Sequence, residues 1–506
     1  MVKNVAILAA LLLVVGGLVW GLSTISGGTG TAHREAIEPE DDRPPPEPST
    51  EEERLARAAE HAAMLDREWP LHGLVTGTQL TVRAEADSES TILGWLRLGG
   101  HVRLQREPVQ APGCRSGWYR IHPRGFACAG QGIEVSDTAP TDEQVALGPD
   151  LTSHLPYRYL FVKEPQVPEW YQLPSREDQR AAEAHALRYV QFLRDGQERA
   201  AERLRAGNLP GEPPAPREVA RFLDHGFFLA SNGTEVRSRR RFVRTVRGTY
   251  VKEAQLEERT GAQFTGVELG VADERGQTLQ LPLAWAIRTA RPMMREVRGE
   301  ASRMVDDESL EPYERLARVP WVRRERIGDQ AYHVITAANG EERYLRDWYL
   351  AIAERRDPPR GIDDDEPWVH VDLSAQTLVV YRGREPIYAT IISSGQEGHA
   401  TPVGEYTIRR KLISDTMADP GSDLGDDRYR IEDVPWTQYF EGSIALHAAF
   451  WHSQYGIVRS HGCVNIAPRD AHWVFQHTWP EVPEGWHGVS TERGTGFRGS
   501  RVIVTE

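Results

Sequence analysis

The sequence predicts a multidomain protein that is mainly β, with an α+β middle region and an apolar helix near its first residue. Short apolar runs alternate with glycine, proline and polar turns from Leu80 to Cys128 and again from Trp368 to His447, which is typical of small antiparallel β-domains. A heavily charged stretch between them, from Ser175 to Asn208, is typical of a helix. The 506 residues are enough for several domains.

The N-terminal segment predicts export. An apolar run from Val5 to Leu22 follows one lysine, and a run of roughly 18 residues is at the lower edge for a membrane-spanning helix and above the usual core of a cleaved signal. Residues 1–25 are therefore expected to be a signal peptide or a transmembrane anchor, with the rest of the chain in the periplasm or cell envelope. The lone basic flank argues against a buried helix of a soluble domain. Residues 26–68 are acid- and proline-rich and predict a linker ending in a short helix.

The composition argues against nucleic acid as a partner. Hydrophobic residues make up 40% of the chain, charged residues 26%, and the net charge is -14. A nucleic-acid-binding surface is normally basic. The run Arg239–Arg247 could contact an anionic polymer, but a solvated strand face is the simpler interpretation.

The three cysteines divide into a pair and a single residue. Cys114 and Cys128 lie in a predicted hairpin, and in an oxidising compartment they predict a disulfide, with two unpaired buried thiols as the alternative. Cys463 is then left over. A leftover thiol in an exported protein is a candidate nucleophile.

Residues 69–137 predict a small β-barrel. The runs LTVR, GWLRLGG and GWYRI occur in that order. This order resembles bacterial Src-homology-3-like domains, which often bind cell-wall peptides. The resemblance implies a contact with the bacterial cell wall, and a spacer barrel without a ligand is the alternative.

Residues 150–360 predict an α+β region to which the sequence assigns no function. Ser175 precedes Asp178 by three residues, as in a capping box, so one long helix is expected to begin there and to end at Gly207. Val319–Ile352 resembles another short β-barrel segment.

The C-terminal third places a histidine and a cysteine where catalytic groups usually sit, at a strand end and in a loop. Strand-like runs between Trp368 and His447 are followed by a loop to Cys463, and Pro468 opens a predicted helix. An imidazole can lower the pKa of a thiol and accept its proton. From spacing alone, the candidate bases are His447, His452 and His461. Consecutive N–H groups at Gly462 and Cys463 could stabilise an oxyanion.

The runs VDLSAQTLVVY, SSG and TPVGEYTI, followed by His447 and SHGCVN, resemble the L,D-transpeptidase (YkuD-like) catalytic domain over residues 366–506. This family implies a β-sandwich or barrel-like fold and needs no metal or organic cofactor. The roles that it implies are an acylated nucleophile at Cys463, a general base at His447, shaping of the nucleophile loop and oxyanion hole by His461 and Gly462, and bracing of that loop by Ser460 and Asn465. His452 is off the family spacing and is interpreted as a pocket residue.

The resemblance implies a peptidoglycan crosslinking or attachment enzyme. Its cysteine would form a thioester with a donor stem peptide, and a second stem peptide or a wall-attached protein would accept the acyl group. A carboxypeptidase using water, a non-catalytic wall-binding adaptor, and a zinc site built from His447, His452, His461 and Cys463 are the alternatives. The polar insertion from Ser414 to Arg430 departs from the family and is expected to form a lid.

Overall fold

The computed structural model describes residues 51–272, 276–298, 301–418 and 430–506. The chain separates into two units, Met1–Ala59 and Glu60–Glu506. The described residues are mainly β, with 15% of them in helices. The first helix, α1, spans Glu51–Glu68. No helix within the described ranges is long and apolar enough to cross a membrane. The predicted signal or anchor, residues 1–25, lies outside those ranges.

Seven short strands form two small sheets around one core near the N-terminus. They are β1 (Leu71–Val75), β2 (Leu80–Arg83), β3 (Ile92–Leu96), β4 (His101–Leu104), β5 (Trp118–Arg120), β6 (Phe126–Cys128) and β7 (Ile133–Ser136), followed by helix α2 (Asp142–Val145). One sheet has the order β4–β1–β7, and the other pairs β3 with β2, β2 with β6 and β6 with β5. Alternate residues such as Val82 and Leu104 are buried between them. Trp486 and Val489, from the far end of the chain, complete this core.

The structure joins Cys114 to Cys128 in a disulfide and leaves Cys463 as a free thiol. Closing a loop of 14 residues should stabilise these strands by about 3 kcal/mol on the chain-entropy model. We expect the double variant Cys114→Ser/Cys128→Ser to have a lower melting temperature than the wild type. Cys463→Ser should have the same melting temperature as the wild type. Peptide mapping without reductant checks the pairing directly, and a bridge that includes Cys463 would contradict both the pairing and the proposed nucleophile.

The middle region begins with seven strands and two helices. They are β8 (Arg158–Val162), β9 (Val167–Trp170), α3 (Arg176–Arg194), α4 (Glu198–Arg205), β10 (Val219–Leu223), β11 (Phe228–Arg237), β12 (Arg240–Thr245), β13 (Tyr250–Lys252) and β14 (Leu256–Arg259). Ser175 caps α3 by accepting a hydrogen bond from the Asp178 N–H at 3.0 Å. The prediction of one long helix was wrong, because the chain breaks at Gly196, which adopts a positive φ of 68°.

Nine further strands complete the middle region. They are β15 (Val267–Glu268), β16 (Leu283–Ala286), β17 (Met293–Arg298), β18 (Ala301–Asp306), β19 (Arg318–Val319), β20 (Trp321–Ile327), β21 (Gln330–Thr336), β22 (Glu342–Arg346) and β23 (Leu350–Ala353). Strands β17, β18 and β20–β22 form one antiparallel sheet, and β19–β16–β23 form another. The second sheet packs its Trp285 and Ala351 against the C-terminal domain.

The C-terminal domain is a sandwich of two sheets with one helix. Its elements are β24 (Pro367–Asp372), β25 (Thr377–Arg382), β26 (Glu385–Ile391), β27 (Gly404–Thr407), β28 (Arg410–Ala418), β29 (Arg430–Glu441), β30 (Ile444–Ala448), β31 (Val464–Ile466), α5 (Pro468–Gln476), β32 (Gly488–Ser490) and β33 (Arg501–Thr505). The first sheet has the order β26–β25–β24–β33–β27, and the second contains β32, β28, β29, β30 and β31. Apolar side chains such as Val369, Phe440 and Leu446 fill the space between them.

The insertion predicted as a lid begins and ends in strands. Residues Ser414 to Ala418 continue β28, and Arg430 begins β29, with Asp415 paired to Val434. Residues 419–429 lie outside the described residues.

The N-terminal strands and the C-terminal domain share a sheet. Strand β32 pairs with β28 on one side and with β3 on the other, where Gly94 lies opposite Val489 and Trp95 opposite Gly488. A Cβ at Gly94 would overlap the Gly488 carbonyl oxygen and the Trp486 ring. Glycine is therefore required where the two parts of the sheet approach.

Charges at the start of β29 strengthen this junction. Asp433 forms an ion pair with Arg97 of the N-terminal strands, and its carbonyl accepts a hydrogen bond from the Tyr159 hydroxyl at 2.6 Å. Glu432 pairs with Arg221 of the middle region at 2.7 Å. Both carboxylates are buried. Glu432 also pairs with Arg430 at 3.0 Å and with Arg247 at 3.5 Å, so the loss of Arg221 alone would not leave it unpaired. Among the described residues Arg97 is the ion-pair partner of Asp433, and its removal would leave a buried charge uncompensated, at a cost of about 3–5 kcal/mol.

Candidate active site

Strands β30 and β31 bring the histidine and the cysteine predicted from the sequence to one place. They run parallel, with Leu446 opposite Val464 and His447 opposite Asn465. Cys463 immediately precedes β31. Its sulfur accepts a hydrogen bond from the Ala445 N–H, and the thiol donates to the Ser443 carbonyl at 3.7 Å. The sulfur therefore lies beside the strand that carries His447.

His447 is buried and held in one tautomer. Its Nδ1 lies 3.1 Å from the Ala448 carbonyl oxygen, which can only accept, so the proton is on Nδ1 and the basic lone pair is on Nε2. The Trp451 ring stacks on the imidazole, with 5.7 Å between centroids. Nε2 is therefore the atom through which His447 can act as a base.

Burial keeps both groups uncharged. It lowers the pKa of His447 to about 4 and raises the pKa of the half-buried Cys463 to about 11. The hydrogen bond from the Ala445 N–H lowers the pKa of Cys463 and offsets only part of this increase. A thiol and a neutral imidazole are thus the resting state, and not a thiolate–imidazolium pair. Proton transfer must accompany attack on a substrate.

The Ser460 hydroxyl holds the loop that carries Cys463. Its Oγ accepts from the Gly462 N–H at 3.1 Å and donates to the Cys463 carbonyl at 2.5 Å. Gly462 has a φ of 111°, which a side chain would disfavour. The Ser460 hydroxyl thus bonds two backbone groups of this turn. The Gly462 N–H, expected to face an oxyanion, is instead occupied by Ser460, because the tight turn aims it back into the loop.

A neighbouring strip, Ser393–Gly395, forms backbone hydrogen bonds with both ends of the loop that carries Cys463. The Ser460 N–H donates to the Ser394 carbonyl, Gln396 donates back to the Ser460 carbonyl, each at 2.9 Å, and Ser393 and Asn465 exchange a pair of backbone bonds. Gly395 cannot be replaced, because a Cβ there would overlap the His399 carbonyl oxygen. The SSG run marked this strip in the sequence, but the run does not show that the strip pairs with the loop that carries Cys463.

Thr401 connects the strip to the loop and was missed as a site residue. Its buried hydroxyl accepts from the Gly395 N–H at 2.9 Å and donates to the Gly462 carbonyl at 2.8 Å. We expect Thr401→Val to leave these two groups unpaired, at about 1–3 kcal/mol each, and to slow modification of Cys463 roughly 10- to 100-fold by misplacing it. Thr401→Ser keeps the hydroxyl and should resemble the wild type. Melting curves and acylation rates of the two variants check this, and a fully active Thr401→Val would contradict it.

The other two histidines have different surroundings. His461 is exposed, and its ring lies 4.7 Å from that of His399. His452 accepts from the Gln454 N–H at Nδ1, at 3.2 Å, and places Nε2 at 2.9 Å from the Asn465 side-chain amide. Burial lowers the pKa of His452 to about 4. His452 thus holds the Asn465 side-chain amide in place.

The middle region supports the loop that carries His452. Arg315 donates to the Ser453 carbonyl at 2.6 Å and to the Tyr455 carbonyl at 2.7 Å. A Cβ at Gly456 would overlap Ile287. The loop between β30 and the cysteine is therefore held from outside the C-terminal domain.

A metal site receives no support from the geometry. Within the described ranges, no three His, Cys, Asp or Glu side chains are grouped so that they could hold a metal ion. The arrangement instead suits nucleophilic chemistry at Cys463 with His447 as proton acceptor.

Residues 366–504 match the family model of the L,D-transpeptidase catalytic domain. No curated protein matches the chain. Among solved structures, a mutant of an L,D-transpeptidase from Enterococcus faecium is 20% identical, with a TM-score of 0.22, over 28% of this chain and 50% of that one. The L,D-transpeptidase from Mycobacterium smegmatis is 18% identical, with a TM-score of 0.24, over 37% of this chain and 99% of that one. L,D-transpeptidase 3 from Mycobacterium tuberculosis is 17% identical, with a TM-score of 0.23, over 37% of this chain and 79% of that one.

The family match therefore concerns the C-terminal domain, and this chain spans only about half the length of the Enterococcus faecium structure. TM-scores this low add no support of their own. The C-terminal β-sandwich is an L,D-transpeptidase catalytic domain by its family match, and this is the part of the sequence interpretation that is confirmed.

Proposed function

We propose that this chain is a cysteine-dependent L,D-transpeptidase that acts on peptidoglycan stem peptides. The family match over residues 366–504 supports the reaction class. The observation that carries the mechanism is the position of Cys463 beside β30, where His447 has its Nδ1–H bonded to Ala448 and its Nε2 left basic.

The reaction has two halves. In the first, Cys463 Sγ attacks the scissile carbonyl of the donor and its proton passes to His447 Nε2. The tetrahedral intermediate then collapses to a thioester, and the imidazolium returns the proton to the nitrogen of the departing terminal residue. In the second, an acceptor amine attacks the thioester, loses a proton to His447 and releases the Cys463 thiol. No metal or organic cofactor enters either half.

The acceptor determines the biological outcome. A second stem peptide gives a crosslink, an amine of a wall-attached protein gives covalent attachment, and water gives a carboxypeptidase. The role would place the protein in the cell envelope, exported by residues 1–25 and held at the membrane if that segment stays uncleaved. We further propose that the strands β1–β7 act as a Src-homology-3-like module that contacts the wall.

Intact-mass spectrometry tests the proposal. The full chain incubated with a disaccharide-tetrapeptide should gain the mass of the donor minus the free terminal amino acid that is released. This mass should be located on the Cys463 peptide and should be lost when an acceptor amine is added. A chain that binds peptidoglycan but never forms the adduct would be a wall-binding adaptor instead.

A further inference from the structure

One face of the shared sheet next to Cys463 combines residues from two parts of the chain. Across the strands, Trp95 lies opposite Gly488, Gly488 opposite Leu412, and Arg410 opposite Tyr439. Residues opposite each other, and alternate residues of one strand, project from the same face of a sheet. Trp95, Arg410, Leu412 and Tyr439 therefore share one face.

This face forms an apolar wall beside the nucleophile. Leu412, Tyr439 and Ala445 are buried together, and half-buried Trp95, Met417 and Cys463 pack against them. Gly488, which has no side chain, separates Trp95 from Leu412 and lets the two sides of the sheet meet there. The N-terminal strands thus contribute an indole to the surroundings of the Cys463 sulfur.

The positively charged side chain of Arg410 lies at the edge of this apolar wall. The Arg410 guanidinium lies over the Tyr439 ring, 4.5 Å from its centroid, and the Tyr439 hydroxyl is fixed by donating to Asp415 at 2.9 Å. In the parts of the chain that the structure describes, Arg410 forms no ion pair with a carboxylate. A half-buried guanidinium that is stacked on an aromatic ring keeps its planar edge of N–H donors for a carboxylate ligand.

We propose that this face is the donor subsite, in which Arg410 binds the terminal carboxylate of the stem peptide and Trp95 packs against the apolar part of the donor. The inference rests on the proposed function. In an extended chain, a residue adds roughly 3.3–3.6 Å, so a terminal carboxylate one residue beyond the scissile carbonyl lies close to it. Arg410 lies over the Tyr439 ring, which belongs to the cluster that packs against Cys463, so its guanidinium can reach that carboxylate.

The test compares a tetrapeptide donor that has a free terminal carboxylate with the same donor as its terminal amide. A charge-assisted hydrogen bond to a carboxylate is worth roughly 10- to 100-fold in affinity. We expect the wild-type full chain to be acylated that much more efficiently by the free acid, mainly through KM. Arg410→Gln should lose this preference and react with both donors at the rate of the amide. Trp95→Ala should weaken both donors equally and keep the preference.

Arg409→Gln is the matched control, because this neighbouring arginine is exposed and precedes β28; it should behave as the wild type. Iodoacetamide should still alkylate Cys463 to completion in every variant, at the wild-type rate in Arg409→Gln. The inference is overturned if wild type shows no preference for the free acid, a comparison that requires no variant, or if Arg410→Gln retains that preference. Unchanged kinetics in Trp95→Ala would overturn the part assigned to the indole. If wild type is acylated by neither donor while iodoacetamide still alkylates Cys463, the proposed function fails as well, and the two failures are thereby distinguished.

Discussion

Cys463→Ser is expected to abolish the covalent donor adduct while leaving the fold intact. Serine has the same shape as cysteine and is slightly smaller, so the loop held by Ser460 and Thr401 should remain in place. Its hydroxyl, however, lacks the acidity and nucleophilicity that a thiol offers to a neutral imidazole. Intact-mass spectrometry after incubation with the disaccharide-tetrapeptide should show full conversion of the wild type and none of the variant.

Two controls make this result specific. Cys463→Ala should give the same loss, and Cys114→Ser/Cys128→Ser, which changes the other cysteines, should still form the adduct. An adduct that persists in Cys463→Ser and maps to another residue would mean that the reactive nucleophile had been misassigned.

His447→Ala is expected to slow acylation by about 10²- to 10⁴-fold, the usual contribution of a general base. His452→Ala should lose much less, because His452 is bonded to Gln454 and Asn465. Equal losses in the two variants, or a larger loss in His452→Ala, would show that the base has been chosen wrongly. Single-turnover acylation rates measure both.

The pH dependence distinguishes a neutral pair from an ion pair. Burial lowers the pKa of His447 to about 4 and raises that of Cys463 to about 11. The wild-type rate should therefore rise as His447 loses its proton near pH 4 and stay level through neutral pH. In His447→Ala only the thiolate can attack, so the rate should rise about tenfold per pH unit towards pH 11. A wild-type rate that instead rises through neutral pH would contradict the neutral pair.

Local patterns predicted the elements of the C-terminal domain well. Strand-like runs at Trp368, the strand ending near His447 and the helix opened by Pro468 are all present. Each depends on residues adjacent in sequence, namely alternating apolar positions and a proline suited to a first helical turn. The break at Gly196 was missed because charge and composition continue unchanged across it.

Contacts between distant segments could not be predicted in this way. Trp95 packs against the apolar residues beside Cys463, although its own strand lies near the opposite end of the described chain. Thr401 and Arg315 act through backbone carbonyls, which have no sequence signature. The occupied Gly462 N–H depends on the course of a single turn. Such features follow from tertiary geometry, which periodicity does not encode.

The sheet shared through β32 means that the family boundary at residue 366 is not a place where the protein can be cut. A fragment beginning there would keep β28 beside β32 but lose β3 on its other side, exposing a row of unpaired backbone groups. It would also bring into water the Trp486 ring, which is buried among the N-terminal strands. Exposed strand edges and bare aromatic surface promote self-association. We therefore expect the catalytic domain to stay monomeric and folded only together with its N-terminal strands, because a cut at the sequence boundary would separate two halves of one sheet.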